Sequence, residues 1–166
     1  MKSLLRLTLV LGLAVLAASP AAAGAKLGGG IHYLKTVGDL KDVEGFDDSA
    51  IGFMGSVAFD GPLLRLEGDV EFIPSYAGTD ELYWSPQAYA MIGQFIYGGV
   101  GVGVGHMGGG FGWQDPWYAL RAGVRLGLGG LDLDVFGTYR FEKFGDLEGV
   151  TTDDMNSVTL GALVHF

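Results

Sequence analysis

The sequence contains no cysteine, so disulfide bonds cannot cross-link the fold. Basic residues are also scarce, with 10 lysines and arginines against 19 acidic residues. This balance makes a poor nucleic-acid binder, because contact with a phosphate backbone requires an excess of cationic side chains. After the N-terminal segment, no apolar run reaches the roughly 20 residues that a membrane-spanning helix needs, and no amphipathic helix pattern is found. These absences argue against a disulfide scaffold, a nucleic-acid-binding domain and a helical membrane protein.

The N-terminal segment, residues 1–23, has the order of a secretory signal peptide. Lys2 and Arg6 come first, an apolar stretch follows, and the segment ends in small residues. Its apolar core is shorter than the roughly 20 residues of a spanning helix, so a membrane anchor is the weaker interpretation. We expect cleavage before Gly24 or Lys26. All 19 acidic residues remain after cleavage while two of the 10 basic residues leave, which gives the mature chain a charge of 8 − 19 = −11.

Alternation of apolar and polar residues dominates the mature chain, residues 24–166, and period two is the pattern of half-buried β-strands. In the clearest stretch, Leu64–Phe72, every charged residue has an odd number and the even positions are apolar or glycine. The eight predicted strands are Leu27–Val37, Ala50–Phe59, Leu64–Phe72, Gln87–Ile92, Ile96–His106, Leu120–Leu126, Leu131–Phe141 and Met155–Phe166.

Short and long connections alternate strictly between these strands. The predicted turns are Asp60-Gly61, Gly93–Phe95 and Gly129-Gly130, since Asp-Gly and Gly-Gly suit two-residue hairpins. The predicted long links are Gly38–Ser49, Ser75–Pro86, Met107–Pro116 and Lys143–Asp154. Antiparallel neighbours joined in this way form an up-and-down sheet with all short turns at one end. The sequence therefore predicts an all-β, eight-stranded antiparallel up-and-down barrel.

The two-residue turns also predict register. A Gly129-Gly130 turn places Arg125 opposite Asp134, inside the barrel and close enough for a charge-assisted hydrogen bond. An Asp60-Gly61 turn places Val57 opposite Leu64 and Ser56 opposite Arg65.

The apolar face of such a barrel points inward in a soluble lipocalin-like protein and outward in a transmembrane barrel. The sequence favours the transmembrane arrangement, because the charged face mixes acids and arginines with glycines and the chain ends on an apolar-face aromatic, Phe166. Aromatic residues of the apolar face also gather near strand ends, as interfacial girdles do. They are Phe72, Tyr118, Tyr139 and Phe141 toward the long loops, and Phe59 and Phe166 toward the short turns.

A glycine-rich stretch, Phe95–Gly110, fits the spacing of a dinucleotide-binding fingerprint but lacks the helix that must open at it. We interpret it as a strand whose valines face lipid and whose glycines leave room in the lumen for large side chains from other strands. The valines are Val100, Val102 and Val104, and the glycines are Gly99, Gly101, Gly103 and Gly105.

The signal peptide, the strand Tyr97–Gly103, the loop order and a last strand ending in Phe166 together resemble the small OmpA/OmpX-type outer-membrane β-barrels of Gram-negative cell envelopes. The resemblance implies that Phe166 and Val164 belong to the signal read by the barrel-assembly machinery. It also implies contact with outer-membrane lipid and lipopolysaccharide, a monomer with both termini in the periplasm, and an unknown surface ligand. Eight strands leave an interior that side chains fill, so we expect no wide pore.

The predicted lumen face carries charges of both signs, which we interpret as a structural network of paired side chains because buried unpaired charges are costly. A narrow ion path stays open as an alternative. These residues are Arg65, Glu67, Asp69, Glu71, Arg121, Arg125, Asp132, Asp134 and Arg140.

A barrel enzyme that modifies lipid A is the other alternative, and it needs a nucleophile beside a base. The histidines are His32, His106 and His165, and none stands in a local His-x-Ser pair. His106, near the loop rim, is the one serious candidate and has no obvious serine partner. We therefore predict no catalytic and no cofactor-binding residues.

The long loops are acidic, and we interpret them as a solvated surface with no metal ligands, because no calcium-loop spacing is present. The acids are Asp39, Asp42, Glu44, Asp47, Asp48, Asp80, Glu81, Asp115, Asp146, Glu148, Asp153 and Asp154. Aromatic residues near the loops are interpreted as interface girdle or loop packing. They are Tyr76, Tyr83, Trp84, Trp113 and Trp117.

Overall fold

The computed structural model describes residues 24–37, 47–76, 79–109, 112–141 and 156–166. Eight antiparallel strands follow one another in chain order around a closed barrel, and the last pairs with the first. No helix in these ranges is long and apolar enough to cross a membrane. The strands are β1 Ala25–Thr36, β2 Ser49–Asp60, β3 Leu64–Ile73, β4 Tyr83–Gly93, β5 Ile96–Met107, β6 Gly112–Leu128, β7 Leu131–Phe141 and β8 Ser157–His165.

The predicted fold class is confirmed, but two of the predicted long links were too long. β4 begins at Tyr83 and β6 at Gly112, so Pro86 and Pro116 lie inside strands. Proline lacks the N–H that a ladder bond needs, and it is tolerated in strands at irregularities. Pro116 lies beside a bulge at Val104/His106, and the β4–β5 ladder skips Pro86. The predicted signal peptide, residues 38–46 of one predicted loop and all of the predicted loop Lys143–Asp154 lie outside the described residues.

The three short connections lie at one end of the barrel, here called the turn end; the opposite end is the loop end. At the turn end, the Gly129-Gly130 prediction is confirmed: both glycines have positive φ, 63° and 107°, and Arg125 pairs with Asp134 across β6 and β7. Positive φ at both central residues is what a two-residue turn requires.

The Asp60-Gly61 prediction is wrong by four residues, since Asp60 pairs with Arg65 and Ser56 with Asp69. A two-residue turn there would place Pro62 in the first ladder pair, where its missing N–H could not bond. The chain instead turns over residues 61–63, and the N–H of Gly61 donates to the carbonyl of Leu64 at 2.8 Å. The register error is an even number of residues, so the inner and outer faces of β2 and β3 are still predicted correctly.

The outer wall of the barrel is apolar and exposed. Ile51, Ile92 and Leu160 are each more than 60% exposed. On the outward positions of the described strands, charge is confined to Lys35 and Asp115, both near the loop end. The inner wall holds the buried charges, so the apolar interior of a lipocalin-like barrel is not what the structure shows.

Two residues expected on the lipid face are covered instead. Val104 is 5% exposed and lies opposite Pro116 beside the bulge, while Phe141 is 2% exposed next to the rings of Tyr118 and Tyr139. Val100, by contrast, is 58% exposed, as predicted.

The expectation for the glycines of β5 is confirmed. Each inward glycine lies beneath a large side chain of an adjacent strand, so that an added Cβ would collide with it. The covering side chains are Met91 over Gly99, Tyr89 over Gly101, Trp117 over Gly103 and Tyr83 over Gly105.

Candidate functional site

The barrel interior contains one continuous set of charged side chains, in which two regions differ. The central lumen is defined by Glu67, Asp69, Glu71, Arg121 and Arg140, which are at most 5% exposed. The turn-end mouth is defined by Lys26, Asp60, Arg65, Arg125 and Asp132, which line a cavity of about 350 Å³ that opens at the turn end.

In the part of the central lumen nearer the loop end, one bidentate ion pair joins β7 to β3. Arg140 donates through Nη1 and Nη2 to the two carboxylate oxygens of Glu71, at 2.9 and 2.8 Å. His32 lies on the same carboxylate, with its Nε2 2.9 Å from Oε1. The guanidinium of Arg140 also lies 4.5 Å from the ring centre of Trp117. A planar fork on a carboxylate fixes both side chains in a single geometry.

In the part of the central lumen nearer the turn end, Arg121 contacts side chains of several strands. Its Nη1 lies 2.8 Å from Glu67 and 3.1 Å from Asp69, and its Nε donates to the hydroxyl of Thr138 at 3.1 Å. The rings of Tyr89 and Phe136 lie against the same guanidinium, at 3.6 and 4.3 Å. Cation–π contacts of this kind strengthen when water is excluded.

Arg65 connects the central lumen to the turn-end mouth. Its Nη2 lies 2.6 Å from Glu67 and 3.1 Å from Nε2 of His165. In the mouth, the carboxylate of Asp60 is shared by Lys26 at 3.0 Å, Arg125 at 3.4 Å and Arg65 at 3.5 Å. Asp60 therefore has three cationic neighbours and no exclusive partner.

The predicted Arg125–Asp134 pair lies inside the barrel, but no hydrogen bond joins the two side chains. Nε of Arg125 is 3.8 Å from Oδ2 of Asp134, beyond hydrogen-bond distance. The hydroxyl of Tyr97 donates to Asp134 at 2.6 Å instead. The sequence could give this register but not the competing partners, since Tyr97 and Asp60 lie on other strands.

The loop end of the lumen is closed by apolar side chains. Leu34, Ile73, Tyr83 and Met107 are buried together there, and Tyr76 stacks on Tyr83 with ring centres 4.7 Å apart. The cavity just below this cluster measures about 30 Å³. Within the described ranges, the inner side chains leave no wide bore. Tyr83 and Trp117 thus face the lumen, contrary to their interpretation as girdle or loop residues.

The three histidines lie in different surroundings, with His32 beside Glu71 in the central lumen. His106 lies on the outer wall between Trp84 and Trp113, with ring centres 5.6 and 4.9 Å away. His165 lies 3.0 Å from the hydroxyl of Ser56, a pairing that sequence reasoning missed. His165 is fully buried.

The Ser56–His165 contact is a consequence of barrel closure. Gly28 pairs with Ser56 on one side and with His165 on the other, and an added Cβ on Gly28 would collide with the His165 ring. The missing side chain lets residues from strands two apart meet. No spacing along the sequence signals this contact.

The loop acids and the terminal aromatic complete the predicted residues. Asp47, Asp48, Asp80, Glu81 and Asp115 are described, and the other loop acids lie outside the described residues. No three metal-ligating side chains of the described ranges come together. Phe166 is 67% exposed on the outer wall, and its backbone bonds to Leu27 in both directions, at 2.8 and 3.1 Å. Val164 faces outward beside it, 40% exposed.

Comparisons with known proteins match this architecture. No protein-family model and no curated protein matches the chain. Among solved structures, Neisserial surface protein A aligns with a TM-score of 0.60 and 20% identity, over 86% of this chain and 96% of that one. The N-terminal β-barrel domain of Pseudomonas aeruginosa OprF aligns with a TM-score of 0.50 and 11% identity, over 86% and 98%. A de novo designed transmembrane β-barrel aligns with a TM-score of 0.50 and 12% identity, over 86% of this chain and 96% of that one. The chain has the fold of the small outer-membrane barrels that its sequence resembles.

Proposed function

We propose that the mature protein is an integral outer-membrane barrel with a non-enzymatic, structural or surface-interaction role. The observation that carries this proposal is the distribution of charge around the closed barrel. Charged side chains fill the interior, while the outer wall of the described strands is apolar between its two ends. A wall of this kind is stable against lipid, because every strand has a partner and no open sheet edge remains.

The outer wall also has the aromatic distribution of an interfacial belt. Trp84, His106 and Trp113 form one cluster on its loop-end side, with the two tryptophan ring centres 5.0 Å apart. Phe166 lies exposed on its turn-end side, and Phe59 lines the outer groove there. Amphipathic rings collect at both membrane interfaces of such barrels. Aromatic residues near both ends support a wall that spans the membrane. Because periplasmic turns are short and extracellular loops long in such barrels, we place the short turns in the periplasm and the acidic loops outside the cell.

The interior supports a structural role better than conduction or catalysis. Arg121 and Arg140 each have a carboxylate partner and an aromatic ring, and Arg65 has the carboxylate of Glu67. The apolar cluster closes the loop end of the lumen. The charged side chains of the lumen, from the central lumen to the turn-end mouth, then rigidify the wall. Phe166 and Val164 then belong to the signal for barrel assembly. In planar bilayers, the purified protein should give no large and stable open channel, because eight strands leave no wide aqueous bore.

A charge placed on the outer wall tests the membrane assignment. Val135 is half exposed near the middle of β7, and Leu128 is exposed at the turn-end tip of β6. We expect Val135→Arg to lower the free energy of unfolding in lipid vesicles by about 2–4 kcal/mol, and Leu128→Arg by about 0–1 kcal/mol. Urea titration of the refolded proteins measures both.

Fractionation provides the direct check on location. The mature protein should require detergent for extraction from membranes, and recovery in a detergent-free periplasmic extract would contradict the proposal. Equal tolerance of arginine at Val135 and Leu128 would contradict it independently.

A further inference from the structure

Two cavities lie side by side at the turn end and share Asp60 and Gly61 in their linings. One is the turn-end mouth, of about 350 Å³, inside the barrel. The other is a groove of about 510 Å³ on the outside, between the turn-end tips of β2 and β3. One cavity is polar and charged, and the other is almost entirely apolar. A molecule that spanned the rim would need a charged head and an apolar tail.

The lining of the mouth contains one more cationic side chain than anionic side chain. Of the charged side chains that line it, Lys26, Arg65 and Arg125 are positive, and Asp60 and Asp132 are negative. Arg65 and Arg125 both reach Asp60, at 3.5 and 3.4 Å, so two guanidinium groups share this one carboxylate. Lys26 contacts Asp132 at 2.5 Å and Asp60 at 3.0 Å, but its side chain is 39% exposed and can be reached from the periplasmic side. This arrangement favours an arriving anion.

The groove continues the apolar outer wall beyond the ends of the strands. Phe59, Leu64 and Leu66 form its floor, and the turn residues Pro62 and Leu63 form its edge. Leu63 is 78% exposed, which is unusual for a leucine at the tip of a turn that faces water. An apolar chain in the groove would cover Leu63 and remove its side chain from water. This would explain why a leucine stands at the tip of the turn.

We propose that the turn end binds one anionic phospholipid of the periplasmic leaflet. Its phosphate would lie at the mouth beside Lys26 and Arg125, and one acyl chain would lie in the groove along Leu63 and Leu64. The proposal rests on the membrane orientation given above. In the free protein, Asp60 contacts Lys26 and Arg125, and Asp132 contacts Lys26, so both carboxylates compete with the lipid phosphate.

Native mass spectrometry of the full mature chain tests the proposal. The folded protein in uncharged maltoside micelles is offered equal amounts of phosphatidylglycerol and phosphatidylcholine with identical acyl chains. We expect one retained phosphatidylglycerol in preference to phosphatidylcholine. Lys26→Gln should reduce that preference by about fivefold, the value of one cation near a lipid surface. Asp60→Asn should raise it, because the competing carboxylate is gone.

Controls separate this site from general attraction to charge. Lys35→Gln removes an exposed lysine at the loop end and should leave the preference unchanged. Leu63→Asn should weaken retention of both lipids, because it changes the groove but no charge. Equal retention of the two lipids by the folded wild type would overturn the inference, as would a preference that survives Lys26→Gln or falls in Asp60→Asn.

Two further outcomes are distinct from these. Binding of palmitate as strongly as phosphatidylglycerol would replace the phospholipid by a free fatty acid and overturn the stated ligand. A chain that fails to fold in micelles, measured by its β-sheet circular dichroism, would instead contradict the proposed function.

Discussion

The central lumen and the turn-end mouth are built from the same residue types, yet they hold their charges differently. In the centre, Arg140 and Glu71 form a two-bond fork, and their side chains are 6% and 0% exposed. In the mouth, Lys26 and Asp60 are 39% and 29% exposed, and Asp60 is shared among three cations. The same chemistry therefore gives buried contacts in the centre, with the Arg140–Glu71 fork as the most fixed of them, and partly exposed, shared contacts in the mouth.

This difference determines what each region can do. A fixed pair away from water cannot change partners, so it contributes rigidity and a unique packing arrangement. A shared and partly hydrated carboxylate can be replaced by another anion at little cost, because the cations keep an alternative. Structure is expected to depend on the centre, and binding on the mouth.

The largest expected effect comes from breaking the central fork. Glu71→Ala would leave Arg140 buried without its carboxylate and deprive His32 of the same oxygen. We expect the free energy of unfolding to fall by about 3–5 kcal/mol, the usual cost of removing one partner of a buried pair. Urea unfolding in lipid vesicles, followed by tryptophan fluorescence, measures it.

A matched control for Glu71→Ala lies on the protein surface. Asp48 faces Lys35 at 3.7 Å, and both side chains are partly exposed. Asp48→Ala should change the free energy of unfolding by about 0–1 kcal/mol. Similar losses for both variants would show that the central pair has no special structural role.

A smaller effect is expected from glycine substitutions that compare packing in the two regions. Gly101 lies under the ring of Tyr89, which is held by Arg121 on its face and by Gln87 at its hydroxyl. Gly101→Ala should therefore cost about 1–3 kcal/mol, as overpacking does. At Gly127, by the mouth, an added Cβ would meet only Asp132, at 3.7 Å, within ordinary contact.

The same unfolding measurement is then applied to Gly127→Ala, which we expect to lie within about 0.5 kcal/mol of the wild type. A loss at Gly127 as large as at Gly101 would mean that the mouth is as tightly packed as the centre. The distinction between the two regions would then fail.

The sequence predicted the barrel and its inner and outer faces because both follow from local rules. Alternation assigns the face at every strand residue, and Gly129-Gly130 fixes the register of β6 on β7. The Asp60-Gly61 register was missed because the effect of Pro62 on the first ladder pair was not considered. The early starts of β4 and β6 were missed because proline was taken as a strand boundary.

The partners inside the lumen could not be predicted in the same way. Arg140 meets Glu71 and Arg121 meets Glu67 across the barrel, so each contact depends on how the closed sheet is sheared. The Ser56–His165 contact depends in addition on the missing side chain of Gly28. Alternation reports which face a residue occupies but not which residue lies opposite it across the lumen.

The smallest expected effect concerns Arg125 and Asp134, the pair at the boundary between the two regions. Sequence reasoning alone would assign this pair a large energy, because both residues lie inside the barrel. The structure argues for a small one, since their atoms are 3.8 Å apart and Arg125 also lies 3.4 Å from Asp60. Asp134→Asn keeps an oxygen that can accept the hydrogen bond from Tyr97.

A double-mutant cycle with Arg125→Gln and Asp134→Asn isolates the energy of this pair from that of their other contacts. We expect a coupling of about 1 kcal/mol or less, within the range of ion pairs that lack a well-aligned hydrogen bond. The corresponding cycle on Arg140 and Glu71 should give several times more, because that fork has no hydrated alternative. A coupling for Arg125 and Asp134 equal to that of the fork would mean that Arg125 belongs to the fixed region. Its guanidinium would then not be free to receive an anion at the mouth.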